Sequence, residues 1–301
     1  MVELEVNISG LELKRPIILA SGILGQTAES MEKVLNSGMG GVVTKSIGLD
    51  PREGHQNPTM IEMEHGLLNA MGLPNPGIDD FLKELTKIKH SSKPIIGSVF
   101  AGSEEKFVDL SKKMEEGEVD AVELNLSCPH AEGYGAAIGT DPHLVKNIVK
   151  AVKDETHVPI FAKLPPFSDI VKVAEAAENG GSDAIVAINT VQAMAINFET
   201  RKPLLGNKVG GYSGPAIKPI GLKCVYDIYS NVDIPVIGCG GVTDGRDALE
   251  YILAGASALQ VGSAIYYRGS NVGNQIKDEI EELMEKEGVQ ELKDLIGTAH
   301  D

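Results

Sequence analysis

Short apolar runs alternate with longer amphipathic ones from one end of this chain to the other. The runs 16-PIILA-20, 41-GVVTK-45, 94-PIIGSVF-100, 121-AVELNLS-127, 159-PIFAKL-164, 184-AIVAINT-190, 235-PVIGCGG-241 and 258-ALQVGSA-264 are continuous and rich in β-branched residues. Strands of a parallel sheet covered on both faces have that character. Between them, 30-SMEKVLNSG-38, 77-GIDDFLKELTKIK-89, 103-SEEKFVDLSKKMEEG-117, 143-HLVKNIVKAVKDE-155, 170-IVKVAEAAENG-180, 219-PIGLKCVYDIYS-230 and 244-DGRDALEYILAG-255 repeat their apolar positions with the helical period. Several end in glycine, which readily takes the left-handed conformation of a helix C-cap. The tail 275-QIKDEIEELMEKEG-288 predicts another helix and 290-QELKDLIG-297 a last short one. Strands and helices alternating in this way predict a (β/α)8 TIM barrel, an α/β fold, rather than an open doubly wound sheet. The opening 3-ELEVNISGLELKR-15 alternates and turns at Ser9-Gly10, the pattern of an N-terminal β-hairpin capping the barrel floor.

At 301 residues and 42% hydrophobic, with no Ser/Pro-rich linker or shift in composition, the chain is expected to be one domain, 1–301. A net charge of −16 argues against nonspecific binding to nucleic acid or anionic membrane. No signal peptide opens the chain and no apolar run approaches the ~20 residues of a membrane span, so a soluble cytoplasmic protein is expected. The three cysteines, Cys128, Cys224 and Cys239, have no metal-ligand spacing and suggest neither a disulfide framework nor an iron–sulfur site.

In a barrel of this kind chemistry belongs at the C-terminal ends of the strands. Those ends carry Ser21, Lys45, Asn125 with Cys128, Lys163, Asn189 with Thr190, Gly240-Gly241 and Gly262-Ser263. A buried ammonium at Lys45 or Lys163 is costly unless an anion meets it, although either lysine alone could snorkel to the rim. Three Gly-rich segments, 210-GGYSG-214, 238-GCGG-241 and 261-VGSA-264, would let backbone N–H groups approach an anion, and late barrel loops are the common phosphate site. None has the G-x-G-x-x-G spacing of a Rossmann dinucleotide site.

Cys128 reads as an inert buried thiol, a nucleophile, or a general base whose free thiol titrates at about 8.5. A nucleophile would need an activating base, and His130 is the histidine close in sequence. For Cys224, within a helical pattern, and Cys239, within a glycine turn, inert packing suffices. Asn69 in 69-NAMGLPNPG-77, with Asn125, Asn189 and Thr190, would add neutral donors and acceptors suited to a planar ligand with several carbonyl and N–H edges.

The segments 20-ASG-22, 44-TKS-46, 69-NAMGLPNPG-77, 124-LNLSCP-129, 189-NT-190, 199-ETRKP-203, 211-GYSGPAIKP-219, 238-GCGG-241 and 262-GS-263, spread over nearly the whole chain, resemble the dihydroorotate dehydrogenases, and within them the NAD-linked class 1B catalytic subunits. The resemblance implies FMN at the barrel mouth and oxidation of dihydroorotate to orotate in pyrimidine synthesis. Cys128 would take the C5 proton while C6 passes hydride to the flavin. Lys163 would stabilise the reduced flavin, and Lys45 would lie between flavin and substrate. Asn69, Met71, Gly72, Leu73, Asn125, Asn189 and Thr190 would hold the orotate ring and carboxylate. Ser21, Lys45, Ser46, Asn125, Lys163, Ile188, Gly214, Gly240, Gly241, Gly262 and Ser263 would line the FMN. The loop 130-HAEGYGAAIG-139 would act as a lid.

Membrane-bound relatives use serine as the base and carry an N-terminal extension, and this chain is expected to do neither. Class 1A relatives are homodimers that reduce fumarate. The stretches 199-ETRKP-203 and 211-GYSGPAIKP-219 side with class 1B, whereas 71-MGLPN-75 has a class 1A character. Class 1B implies a catalytic homodimer within a heterotetramer, with FAD and a [2Fe–2S] cluster on a partner subunit that passes electrons to NAD. Two alternatives stay open. A dihydropyrimidine dehydrogenase-like flavoenzyme shares the run from Asn125 to His130 but acts on uracil or thymine, and a phosphate-binding barrel lyase or aldolase would use Lys163 as a Schiff base.

Overall fold

The computed structural model describes residues 2–88, 93–127, 138–167 and 169–300. Its centre is a closed barrel whose strands neighbour one another in chain order. They are β1 Ile17–Leu19, β2 Gly41–Val43, β3 Ile95–Val99, β4 Ala121–Asn125, β5 Ile160–Leu164, β6 Ala184–Ala187, β7 Val236–Cys239 and β8 Ala256–Val261. All pairs are parallel, and β8 closes the ring on β1 with Leu259 opposite Ile17. The crossovers are the helices α1 Ala28–Asn36, α2 Ile78–Leu85, α3 Glu104–Glu116, α4 Pro142–Glu155, α5 Ile170–Asn179, α6 Lys218–Tyr229 and α7 Gly245–Leu253. A (β/α)8 barrel is therefore what the alternating pattern produces.

Local chemistry starts and stops these helices. Thr27 and Ser30 form a capping box on α1, and Asp141 accepts from the first-turn N–H groups of α4, whose first residue is Pro142. The buried face of α4 is Val145, Ile148, Val149 and Val152. This is one stripe at helical spacing, and each side chain contributes about 1.5–3 kcal/mol of burial. Gly38, Gly255 and Gly288 have positive φ as expected of glycine stops, and two others differ in detail. Gly117 and Gly180 keep right-handed backbone, and the left-handed residue is the next one, Glu118 or Gly181.

The opening hairpin pairs Val6–Ile8 with Leu11–Leu13 in antiparallel register. Its turn residues Ser9 and Gly10 both have positive φ, which matches the twist a two-residue hairpin requires. Ile8 and Leu13 are fully buried, and Ser9 Oγ donates to the Asp183 carbonyl beside the start of β6. The hairpin closes the floor as expected.

Strand ends are trimmed relative to the sequence pattern. Lys45, Asn189 and Thr190 lie just beyond their strands. The run 258–264 ends at Val261 and turns into a short helix, α8 Ala264–Arg268, before α9 Val272–Glu287. The last expected helix is a 3-10 turn, Leu292–Leu295.

One layer was not foreseen. The connections after β2 and β6 each rise from the mouth and build a shared antiparallel sheet in the order Val191–Ala193, Gly210–Ser213, Gly66–Asn69, Met60–Met63. It has its own small core of Leu68, Ala70 and Leu205, with Ile61, Met63 and Tyr212 packed around it.

Candidate active site

Register decides which side chains face the barrel lumen. Ser98 lies opposite Glu123, Asn125 opposite Lys163 and Cys239 opposite Gln260, and laterally paired residues share a face. Gln260 Nε2 on β8 donates to Glu123 Oε2 on β4 at 2.5 Å. A contact between strands on opposite sides of the ring identifies this face as the inner one. The upper tier of the barrel is thus polar where packing alone would choose branched aliphatic residues.

Lys163 sits in that tier at 4% exposure. Its Nζ donates to Gln260 Oε1 at 2.6 Å and lies 3.6 Å from Glu123 Oε1. Glu123 also accepts from Ser98 Oγ at 3.4 Å. Cys239 ends β7 rather than lying in a glycine turn. Burial pushes its thiol up, with Lys163 opposing and Glu123 reinforcing that shift.

A second chain of contacts runs around the rim. Ser21 Oγ and Ser46 Oγ are 3.0 Å apart, and Ser46 Oγ and Ser98 Oγ are 2.9 Å apart. Asn125 Nδ2 donates to Ser46 Oγ at 3.2 Å, and Asn189 Nδ2 donates to Asn125 Oδ1 at 3.2 Å. Asn189 Oδ1 accepts from the Thr190 N–H at 2.8 Å. Ser21, Ser46, Asn125, Asn189 and Thr190 are therefore brought together.

Lys45 differs from Lys163. Its side chain is largely enclosed, makes no hydrogen bond or ion pair among the described residues, and burial holds its pKa below the ordinary lysine range. The two lysines thus divide the expectation: Lys163 has an internal anion and Lys45 does not.

Asn69 ends the sheet strand Gly66–Asn69, and its Nδ2 donates to the Gly211 carbonyl at 3.3 Å. Gly210 and Gly211 are close-packing residues of that sheet, since a Cβ on Gly211 would lie 2.1 Å from Thr190 Oγ1. This corrects the reading of 210-GGYSG-214 as wholly an anion loop. Met71 is exposed, and Gly72 and Leu73 turn with positive φ. Asn75, 5% exposed, ties the turn down. Its Oδ1 accepts from Gly48 N at 3.2 Å and Gly77 N at 2.9 Å, and its Nδ2 donates to the Leu73 carbonyl at 3.0 Å.

On the late side of the mouth, Gly240 and Gly241 have positive φ. A Cβ on Gly241 would lie 2.7 Å from Lys218 N and 2.8 Å from the Gly214 carbonyl, so Gly214 and Gly241 are in close apposition. Ile188, 1% exposed, packs beside Gly240. Tyr251 Oη donates to the Gly240 carbonyl at 2.7 Å from below. Gly262 and Ser263 connect β8 to α8 beside Ala20.

Cys128 and 130–137 of the expected lid lie outside the described residues, while Asn125 and Ser127 immediately before them are within. Glu123, Gln260 and Ser98 were missed from sequence. The signal was present as a polar residue at inward parity inside an otherwise apolar strand. No group of His, Cys, Asp or Glu that could hold a metal occurs among the described residues, and none of their helices is long and apolar enough to cross a membrane.

The family model for dihydroorotate dehydrogenase matches residues 3–284. The chain belongs to the dihydroorotate dehydrogenase family. A Pyrococcus horikoshii protein named dihydroorotate dehydrogenase B (NAD(+)), catalytic subunit, is 53% identical over 98% of this chain and 97% of its own length. Proteins of the same name from Methanocaldococcus jannaschii and Thermoplasma acidophilum are 49% and 48% identical, each over 99% of this chain and 98% and 99% of their own lengths. For a dihydroorotate dehydrogenase relative, the polar tier and rim lie at the strand ends where barrel chemistry is found.

Proposed function

We propose that this chain is the catalytic subunit of an NAD-linked dihydroorotate dehydrogenase that oxidises dihydroorotate to orotate in pyrimidine synthesis. The observation that carries the reading is the rim of Asn125, Asn189 and Thr190 at the strand ends of a chain of this family, with Lys45 an enclosed cation that has no ion pair among the described residues. A planar ring bearing carbonyls, N–H groups and a carboxylate matches those groups in kind. Uracil and thymine lack the carboxylate, and Lys163 already hydrogen-bonds Gln260 beside Glu123, which disfavours a Schiff-base lysine.

We assign the late rim to a phosphate-bearing cofactor because Gly240, Gly241, Gly262 and Ser263 stand just past the ends of β7 and β8, where barrels commonly hold phosphate. In this reading Ser21, Lys45, Ser46, Asn125, Lys163 and Ile188 hold the FMN ring system, and Gly214, Gly240, Gly241, Gly262 and Ser263 cradle its phosphate. When bound, the flavin supplies a hydride acceptor that no side chain provides. The chain's own residues do the rest. Asn69, Met71, Gly72, Leu73, Asn125, Asn189 and Thr190 orient the ring, Lys45 meets the carboxylate, and Cys128 takes the proton from C5. A catalytic homodimer would pass electrons to NAD through a partner subunit carrying FAD and a [2Fe–2S] cluster.

The test is the visible spectrum of the purified chain under anaerobic conditions, before and after dihydroorotate. Flavin bands that bleach with dihydroorotate and not with dihydrouracil are expected, and Cys128→Ala should keep the bands and lose the bleaching. A colourless chain that takes up no FMN would falsify the reading. NAD reduction only in the presence of the partner subunit would complete it.

A further inference from the structure

The proposed chemistry gives Lys163 a role at the flavin but leaves two fully buried polar neighbours, Glu123 and Gln260, without one. Stability does not call for them. A buried ion pair is often no better than apolar residues of the same volume, and branched aliphatics are the usual filling of such a barrel interior. Their hydrogen bonds are nevertheless directional. The Gln260 amide donates to Glu123 at 2.5 Å while its carbonyl accepts from Lys163 at 2.6 Å. The charges on either side fix that orientation, since an ammonium can only donate and a carboxylate only accept. With Gln260 wedged between them, Lys163 stays 3.6 Å from Glu123, short of a closed ion pair, and an ammonium has three donors of which Gln260 uses one. Asn125, opposite Lys163 in register, extends the same face toward the rim.

We propose that Glu123 and Gln260 are positioning residues: Gln260 props the Lys163 ammonium toward the mouth, and Glu123 damps its charge, so that together they set how strongly the site favours reduced flavin. The inference rests on the flavin reading above.

The two residues make opposite predictions. Glu123→Gln removes the damping charge while Gln260 still accepts from Lys163, so the cation acts on the flavin undiminished. Gln260→Met removes the prop, and the ammonium closes onto Glu123 and away from the mouth. In FMN-loaded protein titrated anaerobically against a reference dye, E123Q should raise the equilibrium ratio of reduced to oxidised flavin on the order of tenfold. For a two-electron couple this is an upward shift in potential of about 30 mV. Q260M should lower the ratio by a similar factor. Loosened packing alone would move both variants in one direction, so ratios that shift together, or stay within twofold of wild type, overturn the proposal. If E123Q does not fold, Q260M alone decides it by the sign of its shift. Wild-type protein that holds no FMN refutes the flavin reading and this inference with it, whereas loaded wild type with unresponsive variants refutes this inference only.

Discussion

Gly241→Ala places a methyl group where two backbone segments already meet. Gly241 has φ +74°, and the added Cβ would lie 2.7 Å from Lys218 N and 2.8 Å from the Gly214 carbonyl. The left-handed backbone costs an alanine about 1–2 kcal/mol, and forcing a methyl into filled space costs about 1–3 kcal/mol. If the native fold is kept, the two together remove about 2–5 kcal/mol. With an unfolding entropy of about 2.1 cal/mol/K per residue, a chain of 301 residues should then melt roughly 3–8 °C lower. Relief by local movement would shift Gly214 or the start of α6, and FMN affinity should fall by more than about tenfold. Gly262 is the control, since its φ is not left-handed and its nearest neighbour to a new Cβ is Ala20 Cβ at 3.5 Å. Gly262→Ala should melt within about 1 °C of wild type. The assays are thermal melting of the apo protein and FMN titration by fluorescence quenching. Wild-type melting and wild-type FMN affinity in G241A would refute the claim that Gly214 and Gly241 form a close-packed cradle.

Asn75→Ala breaks three hydrogen bonds that shape the 69–77 turn; at about 0.5–1.5 kcal/mol each, it should raise the KM for dihydroorotate well before it lowers kcat, measured by steady-state kinetics. Lys45→Met should abolish tight orotate binding, seen by calorimetry, yet stabilise the apo protein near pH 7 by removing an enclosed cation that has no ion pair among the described residues. Because burial lowers the Lys45 pKa, the wild type binds fewer protons folded than unfolded above its folded pKa. Its stability relative to the methionine variant should rise as pH climbs from that folded pKa toward about 10.4, by urea melts. Asp247 is pushed up by burial but held below the ordinary carboxylate range overall by hydrogen bonds from Lys218 and Thr243. Its contribution is full above the unfolded carboxylate pKa and lost as pH falls through the folded one, so Asp247→Asn should flatten acid denaturation below about pH 4.

The barrel was legible because buried parallel strands announce themselves as unbroken apolar runs, and all eight recur in the order read. The rim residues Ser21, Asn125, Asn189 and Thr190 were legible because a polar group closing such a run has no packing reason, whereas Ser46 came only from the family resemblance. The mouth sheet was not, since its strands are short, Met60–Met63 and Val191–Ala193 are only partly buried, and Gly66–Asn69 pairs with Gly210–Ser213 far away in sequence. Glu123 and Gln260 were hidden for the opposite reason. Each is one polar letter inside an apolar strand, and its partners stand across the lumen, a relation no local window contains. The distinction between Lys163, which has Glu123 nearby, and Lys45, which has no ion pair among the described residues, depended on finding Glu123 first.

The sheet over the mouth also bears on how the chain acquires its shape. Asn69 reaches the Gly211 carbonyl across 142 positions of chain, whereas every barrel strand pairs with its sequential neighbours apart from the closure of β8 on β1. Closing so long a loop costs entropy before any contact repays it, and non-local pairings are the slow ones in folding. Adjacent β/α units can therefore assemble while the roof is still open, and the segment 60–69 has to wait for 191–213 to emerge and return. Amide exchange pulsed during refolding should find Leu67 to Asn69 protected after the strands below them. Ligand recognition at this mouth therefore waits on non-local pairing, and a chain stopped short of residue 213 would hold several β/α units of a still-open barrel beneath a site with half its roof.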